Sequence, residues 1–273
     1  MIEIHEKEFI ALVEFMKNNY GINLFHKKTL VESRLSNFMT EKKIKDYKEL
    51  LNYVFTDKSG KFIKDLINLL TTNLTYFMRE VEHFRFLRTV VLPYLENNIK
   101  DKDLRVWSAG CSSGQEAYTL AVEISEYFGN KKKSWDTRVL ATDISETALK
   151  KAVNGIYTSE EIEGLPDIWK SKYLNELGDG KYQVVDEIRN QVIFSPFNLM
   201  EEVYPFKKDL HVIFCRNVMI YFDNETKTKI VKKFYDKTSE GGYLFIGHSE
   251  SITNFNTDYS YIIPAVYRKE KRA

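Results

Sequence analysis

The stretch Leu104-Arg105-Val106-Trp107-Ser108-Ala109-Gly110-Cys111-Ser112-Ser113-Gly114 decides the fold class of this 273-residue chain. Its first six residues form a β-prone run and its last five a glycine-flanked turn. Ala117, Leu120, Ala121 and Ile124 then recur at helical spacing. A strand passing through a tight turn into a helix opens a βαβ unit. The grammar repeats at Arg138-Val139-Leu140-Ala141-Thr142, which ends at Asp143, and Ser145 is placed to cap a helix through Ala148 and Leu149. Val192-Ile193-Phe194, His211–Cys215 and Tyr243–Ile246 read as later strands, with a helix carrying Lys227, Ile230, Val231 and Phe234 between the last two. The expected fold is α/β, a doubly wound and mostly parallel Rossmann-like sheet.

Upstream the pattern is different. Phe9, Leu12, Val13 and Met16, then Leu30, Leu35, Phe38 and Met39, then Leu50, Leu51 and Val54, then Phe62, Ile63, Leu66, Ile67 and Leu70 follow helical spacing without strand-like alternation. Residues 1–70 therefore read as an all-α domain, 71–90 as a linker or helix contributing to the site, and 91–273 as the α/β domain. Asp143 and Asn198 stand 55 residues apart, where a βαβ step needs about 30. The excess, with a hairpin signal at Gly178-Asp179-Gly180, predicts a small β-subdomain inserted at about 157–195 on the sheet's edge. Tyr261–Tyr267 follows its predecessor too closely for a crossover helix and is expected to close the sheet as an antiparallel strand.

Composition excludes several classes. Forty Lys and Arg against 39 Asp and Glu give a net charge of +1, too little for general attraction to nucleic acid or an anionic membrane. Cys111 and Cys215 are too few for a disulfide framework or a metal cluster, and no stretch is apolar enough for a membrane span, so a soluble cytoplasmic protein is expected. The charge is uneven: Lys27, Lys28, Arg34, Lys42, Lys43, Lys45 and Lys48 face only Glu32, Glu41 and Asp46, whereas residues 157–190 carry eight acidic and four basic side chains.

Ligands of open parallel sheets sit beyond the strands' carboxyl ends, here at Gly110–Gly114, Asp143, Asn198 and the stretch after Cys215. An acid ending the second strand suits ribose hydroxyls, and Asp143 follows Gly110 by 33 residues. A dinucleotide would want a third glycine and no carboxylate at the helix start. Glu116 would repel a pyrophosphate but could pair with the α-ammonium of S-adenosylmethionine (SAM). A first-turn acid favouring the helix dipole is the plainer reading of Glu116.

Six segments carry a resemblance: Thr72–Glu80, Trp107–Tyr118, Ala141–Ile144, Phe197–Leu199, Phe214–Phe222 and Gly247–Glu250. Together they resemble the CheR chemoreceptor methyltransferases over essentially the whole chain, the run Cys215-Arg216-Asn217-Val218-Met219-Ile220-Tyr221-Phe222 being the most specific. The resemblance implies a SAM-dependent protein-glutamate O-methyltransferase acting on the cytoplasmic domain of methyl-accepting chemotaxis proteins. It implies SAM contacts at Asn73, Thr75, Arg79, Glu116, Asp143, Asn198, Leu199, Arg216 and Asn217, with Arg79 and Tyr221 nearest the transferred methyl. Gln115 and Ala117 depart from the family's usual Glu and Pro, which predicts an altered start to the helix. The basic N-domain helix would meet the receptor. The short turn Leu177–Lys181 predicts action independent of a receptor C-terminal pentapeptide, and a monomer is expected. Two other classes stay open: a catalytically silent SAM-binding adaptor and an NAD-dependent oxidoreductase. No metal site is expected. Cys111 reads as a spacer, Cys215 as core, His248 as a structural histidine, and Phe77, Phe84 and Phe86 as packing.

Overall fold

The computed structural model describes residues 3–71, 73–253, 255 and 257–271. Four helices come first: α1 (Glu6–Tyr20), α2 (Lys28–Lys42), α3 (Tyr47–Thr56) and α4 (Lys61–Leu70). Their apolar faces meet in one core in which Leu12, Val13, Met16, Val31, Leu35, Met39, Leu50 and Leu66 are fully buried. Asp46 caps α3 by accepting the Glu49 N–H, and Gly21 ends α1 in the left-handed region.

Turns at 73–80 lead into α5 (Val81–Phe86), a π-helical turn (Leu87–Val91) and α6 (Leu92–Asn98). There is no break near residue 90: Phe84, Leu87, Val91, Leu92 and Leu95 share one core with the sheet that follows. That sheet begins with β1 (Val106–Ala109), α7 (Gln115–Phe128), β2 (Val139–Asp143) and α8 (Glu146–Asn154), the last capped as expected by the Ser145 hydroxyl accepting the Ala148 N–H. The insertion follows as β3 (Ile156–Thr158), α9 (Asp167–Tyr173), β4 (Leu174–Gly178), β5 (Lys181–Val184) and α10 (Asp186–Arg189). Its strands form a separate three-stranded antiparallel sheet in the order β3-β5-β4.

The chain then returns through β6 (Val192–Pro196), β7 (Leu210–Cys215), α11 (Asn224–Lys237), β8 (Thr238–Ile246), β9 (Tyr259–Ile263) and β10 (Val266–Lys269). The main sheet has the order β6-β2-β1-β7-β8-β10-β9, parallel from β6 to β8 and antiparallel beyond. Three expectations are corrected. Val192–Pro196 is not part of the insertion, because it pairs in parallel with β2 from Val139↔Val192 to Asp143↔Pro196 and forms the main sheet's edge. The C-terminal segment is a hairpin, not one strand: Ala265 takes a φ of 63° between β9 and β10, and only β10 touches β8. The strand read as Tyr243–Ile246 starts five residues earlier, past an irregularity at Leu210/Val212 in its pairing with β7. Among the described residues no helix is long and apolar enough to cross a membrane.

The order reverses between β1 and β7, which makes that gap the switch point where a cleft opens beyond the strand ends. The helical domain is docked over it. Asn23 N–H donates to the Tyr221 carbonyl (2.8 Å), Asn198 Nδ2 to the Asn19 carbonyl (2.7 Å), and Lys17 Nζ lies 2.7 Å from Asp223 Oδ2. Ser145 Oγ donates to Asn68 Oδ1 (2.6 Å) on the other side.

Asp223 both caps α11, accepting the Thr226 N–H, and receives Lys17, and these donors hold its carboxyl down at about 2. A depressed folded-state value gives stability that is complete above the unfolded value near 3.9 and lost as pH falls toward 2. Asp223→Ala is expected to cost about 1–2 kcal/mol at pH 7 through the lost cap, and Lys17→Ala less than that, since the pair is partly exposed. Urea midpoints should show the Asp223→Ala deficit at pH 5 to 7 and its disappearance near pH 2.

Candidate active site

One cavity lies at the switch point, about 1030 Å³ counting its open mouth. Its lining includes Asn73, Thr75, Arg79, Glu116, Asp143, Asn198, Leu199, Arg216, Asn217 and Tyr221, so all ten residues singled out from the sequence meet there. Tyr20, Ile22 and Thr71 close it from the helical side.

The turn after β1 forms the cavity's glycine-lined side. Gly110 has a φ of +89°, and a Cβ there would stand 2.4 Å from Val218 Cγ2, so only glycine lets the turn after β7 pack this close. Ser112, itself at φ 50°, donates its N–H to Asp143 Oδ2 (2.7 Å), while the Ser145 N–H donates to Oδ1 (2.8 Å). Asp143 thus holds the turn, and with Ile144 as a further backbone donor its carboxylate still has acceptor capacity for a ligand hydroxyl. Burial pushes its carboxyl up against the pull of these donors. The helix does start at Gln115, whose Oε1 accepts the Ser113 hydroxyl (2.8 Å), and Ala117 is fully buried.

At the cavity's charged end Arg216 is nearly sealed from solvent, with 1% of its side chain exposed. Its Nη1 donates to Glu116 Oε2 (3.3 Å), its Nε and Nη2 to Glu80 Oε2 (3.3 and 3.2 Å), and Nη2 also to the Arg79 carbonyl. The guanidinium lies 5.2 Å from the Phe84 ring centroid and 5.8 Å from that of Phe214. Glu116 Oε1 accepts the Ser108 hydroxyl at 2.6 Å, and burial pushes its carboxyl up while Arg216 pulls it down.

Asn217, at φ 58°, is pinned by Glu250: Oε2 accepts the N–H groups of Asn217 (3.0 Å) and Gly247 (2.6 Å), and Oε1 that of Ile220 (3.0 Å). A Cβ on Gly247 would stand 2.6 Å from Asn217 Nδ2. Asn217 Oδ1 is buried without a protein partner, an acceptor left over for a ligand donor. The two residues expected nearest the methyl are partly exposed: Arg79 Nη1 donates to the Leu74 carbonyl (3.1 Å) with its guanidinium 5.6 Å from the Tyr76 ring, and Lys27 Nζ lies 5.5 Å from the Tyr221 ring. Asn198 lines the cavity, yet its amide is committed: Nδ2 to Asn19 and Oδ1 to the Met200 N–H (3.0 Å).

Cys111 and Cys215 are buried with thiols pushed far up by desolvation, which suits a spacer and a core residue. Phe77 packs edge-on against Tyr157 of the insertion and Phe86 against Tyr243, whereas Phe84 also lines the cavity. His248 is exposed and its N–H donates to Glu80 Oε1 (3.3 Å). Sequence reasoning passed over Glu80, Glu250, Tyr20 and Ile22.

Two family profiles divide the chain between them: "CheR methyltransferase, all-alpha domain" over residues 7–71 and "CheR methyltransferase, SAM binding domain" over 73–267. The chain belongs to the CheR methyltransferase family. It is similar to the chemotaxis protein methyltransferase of Borreliella burgdorferi, 43% identical over 98% of this chain and 96% of the relative. It is also similar to chemotaxis protein methyltransferase 2 of Vibrio cholerae (32%, covering 94% and 89%) and to the chemotaxis protein methyltransferase of Escherichia coli (32%, covering 99% and 93%). SAM is the methyl donor of a CheR enzyme, and the residues of this cavity fit it: the half-buried Glu116 is an acid that could take an ammonium, Asp143 has acceptors suited to ribose hydroxyls, and the orphaned Asn217 Oδ1 offers a further acceptor.

Glu250→Ala would strand three backbone donors, at about 1–3 kcal/mol each when left unsatisfied. A loss of more than about 2 kcal/mol lowers the melting temperature of a chain this size by roughly 5 °C or more. Calorimetric scanning should show that drop, and SAM titration a weakened affinity, since Asn217 loses its anchor.

Proposed function

We propose that the protein transfers the methyl group of SAM to side-chain carboxylates of glutamates in the cytoplasmic domain of methyl-accepting chemotaxis proteins. The observation that carries this reading is the convergence of the ten residues on one cavity, with a half-buried acid at Glu116 and partly exposed Arg79 and Tyr221. Bound SAM supplies an electrophilic methyl on a sulfonium. A glutamate with a reference pKa near 4.3 is already a nucleophile at pH 7, so no general base has to remove a proton. The protein's work is alignment and exclusion of water. Arg79 presents a fork of donors that can orient the incoming carboxylate, and Tyr221 flanks the methyl's line of approach.

The receptor-facing surface begins beside the cavity. Lys27 stands over Tyr221 and starts the basic helix α2, so acidic methylation helices laid along that helix would bring a glutamate to the site. The insertion's hairpin turns tightly through Gly178, Asp179 and Gly180, all at positive φ, which supports action without a receptor pentapeptide. We further propose that the enzyme works as a cytoplasmic monomer.

Incubation of the protein with labelled SAM and a receptor fragment should place base-labile methyl on glutamates. Arg79→Ala should lower kcat by about 100-fold or more and Tyr221→Phe by about tenfold, the scale of lost alignment. At saturating SAM the wild-type kcat should stay flat from pH 6 to 9; label stable to mild base, or an Arg79→Ala variant with full activity, would overturn the assignment. Calorimetry with a receptor C-terminal pentapeptide is expected to show no micromolar binding, and such binding would overturn the tether-free reading.

A further inference from the structure

Glu80 stands outside the cavity lining but behind its charged end. It closes the turn into α5 at a φ of 55°, in the left-handed region that non-glycine residues seldom occupy. Its carboxylate takes two N–H groups of Arg216 on Oε2, and on Oε1 the His248 N–H (3.3 Å) and Asn217 Nδ2 (3.4 Å). The side chains of Glu80 and Glu116 are each 13% exposed, and Arg216 lies between them. With all three ionised, the group holds one net negative charge. His83 adds none: burial and the nearby Arg216 drive its imidazole down to about 3.

Glu80, His83 and His248 also bring possible ligand atoms within 4.8 Å of one another. Arg216 already occupies Glu80, however, and its fixed positive charge opposes a divalent cation at that distance. The charge therefore acts within the protein.

We propose that Glu80 is a positioning residue that sets the charge of the aminoacyl end of the site. By balancing Arg216 from outside the cavity, it leaves the Glu116 carboxylate available to the ligand's α-ammonium. Without Glu80, Arg216 would pair with Glu116 alone, and the buried end would be neutral before an ammonium arrived. Glu80 thus favours a nucleoside that carries an amino-acid tail over one that does not. This rests on the functional reading above.

The test compares two thioether nucleosides titrated into the full chain: S-adenosylhomocysteine, which has the ammonium, and 5′-methylthioadenosine, which lacks the amino-acid tail. Glu80→Gln should weaken S-adenosylhomocysteine by about tenfold or more and change methylthioadenosine by less than about twofold. Glu80→Asp should restore most of the lost affinity. Unchanged S-adenosylhomocysteine binding in Glu80→Gln, or an equal loss for both ligands, overturns the proposal; the latter marks a purely structural residue. If Glu80→Gln does not fold, Glu80→Asp carries the comparison, and it must keep the wild-type ratio of the two affinities. Wild-type protein that binds neither nucleoside would instead refute the functional reading itself.

Discussion

Arg216 is the constraint around which the molecule is arranged. A guanidinium with 1% of its side chain exposed is tolerable only when its donors are satisfied and its charge is met. Glu80 and the neighbouring Arg79 carbonyl do this from the turn before α5, and Glu116 does so from the start of α7. The end of β7, the start of α7 and the turn before α5 are therefore fixed to one another by a single side chain. Two aromatic rings, Phe84 and Phe214, cover the guanidinium and keep water from weakening those bonds. Replacing either Glu80 or Glu116 leaves Arg216 paired to the other carboxylate, at the cost of the guanidinium donors that the lost one satisfied.

The cleft owes its shape to the same region. Strand order reverses between β1 and β7, and both strands end in turns that need unusual backbone. Met78, Glu80, Ser112 and Asn217 all have positive φ, and all four lie in the turns around the cavity. Such conformations persist where surrounding contacts over-determine them. Here the determinants are carboxylates: Asp143 holds Ser112, and Glu250 holds Asn217. The helical domain completes the enclosure through Tyr20 and Ile22, and the Asn198 amide ties it down. The π-helical turn at Leu87–Val91 joins α5 to α6 without a break, and Leu87 and Val91 are buried in the core shared with the sheet.

Most of this fold was legible because strand and helix periods are written in apolar residues. The strands β1, β2 and β7, the body of β8, the four leading helices and the Ser145 cap were readable in that way. Val192–Pro196 was placed wrongly because its partner, β2, is some 50 residues away and nothing local separates an edge strand of one sheet from a strand of another. The C-terminal hairpin was hidden because Pro264-Ala265 is short and Ala265 is an unusual residue for positive φ. In the site, residues with a ligand-facing role were visible through the family resemblance. Glu80 and Glu250 were not, since their work is to hold other residues, and ion pairing across 136 residues leaves no local trace. The available signal was that each ends a segment of the family resemblance, Thr72–Glu80 and Gly247–Glu250.

The negative charge of the half-buried Glu116 selects the ligand's ammonium. The direct measurement is a calorimetric titration of SAM and of 5′-methylthioadenosine into wild-type protein and Glu116→Gln. The substitution is expected to weaken SAM by at least about tenfold and to leave methylthioadenosine nearly unchanged. SAM affinity equal to wild type in Glu116→Gln would contradict it.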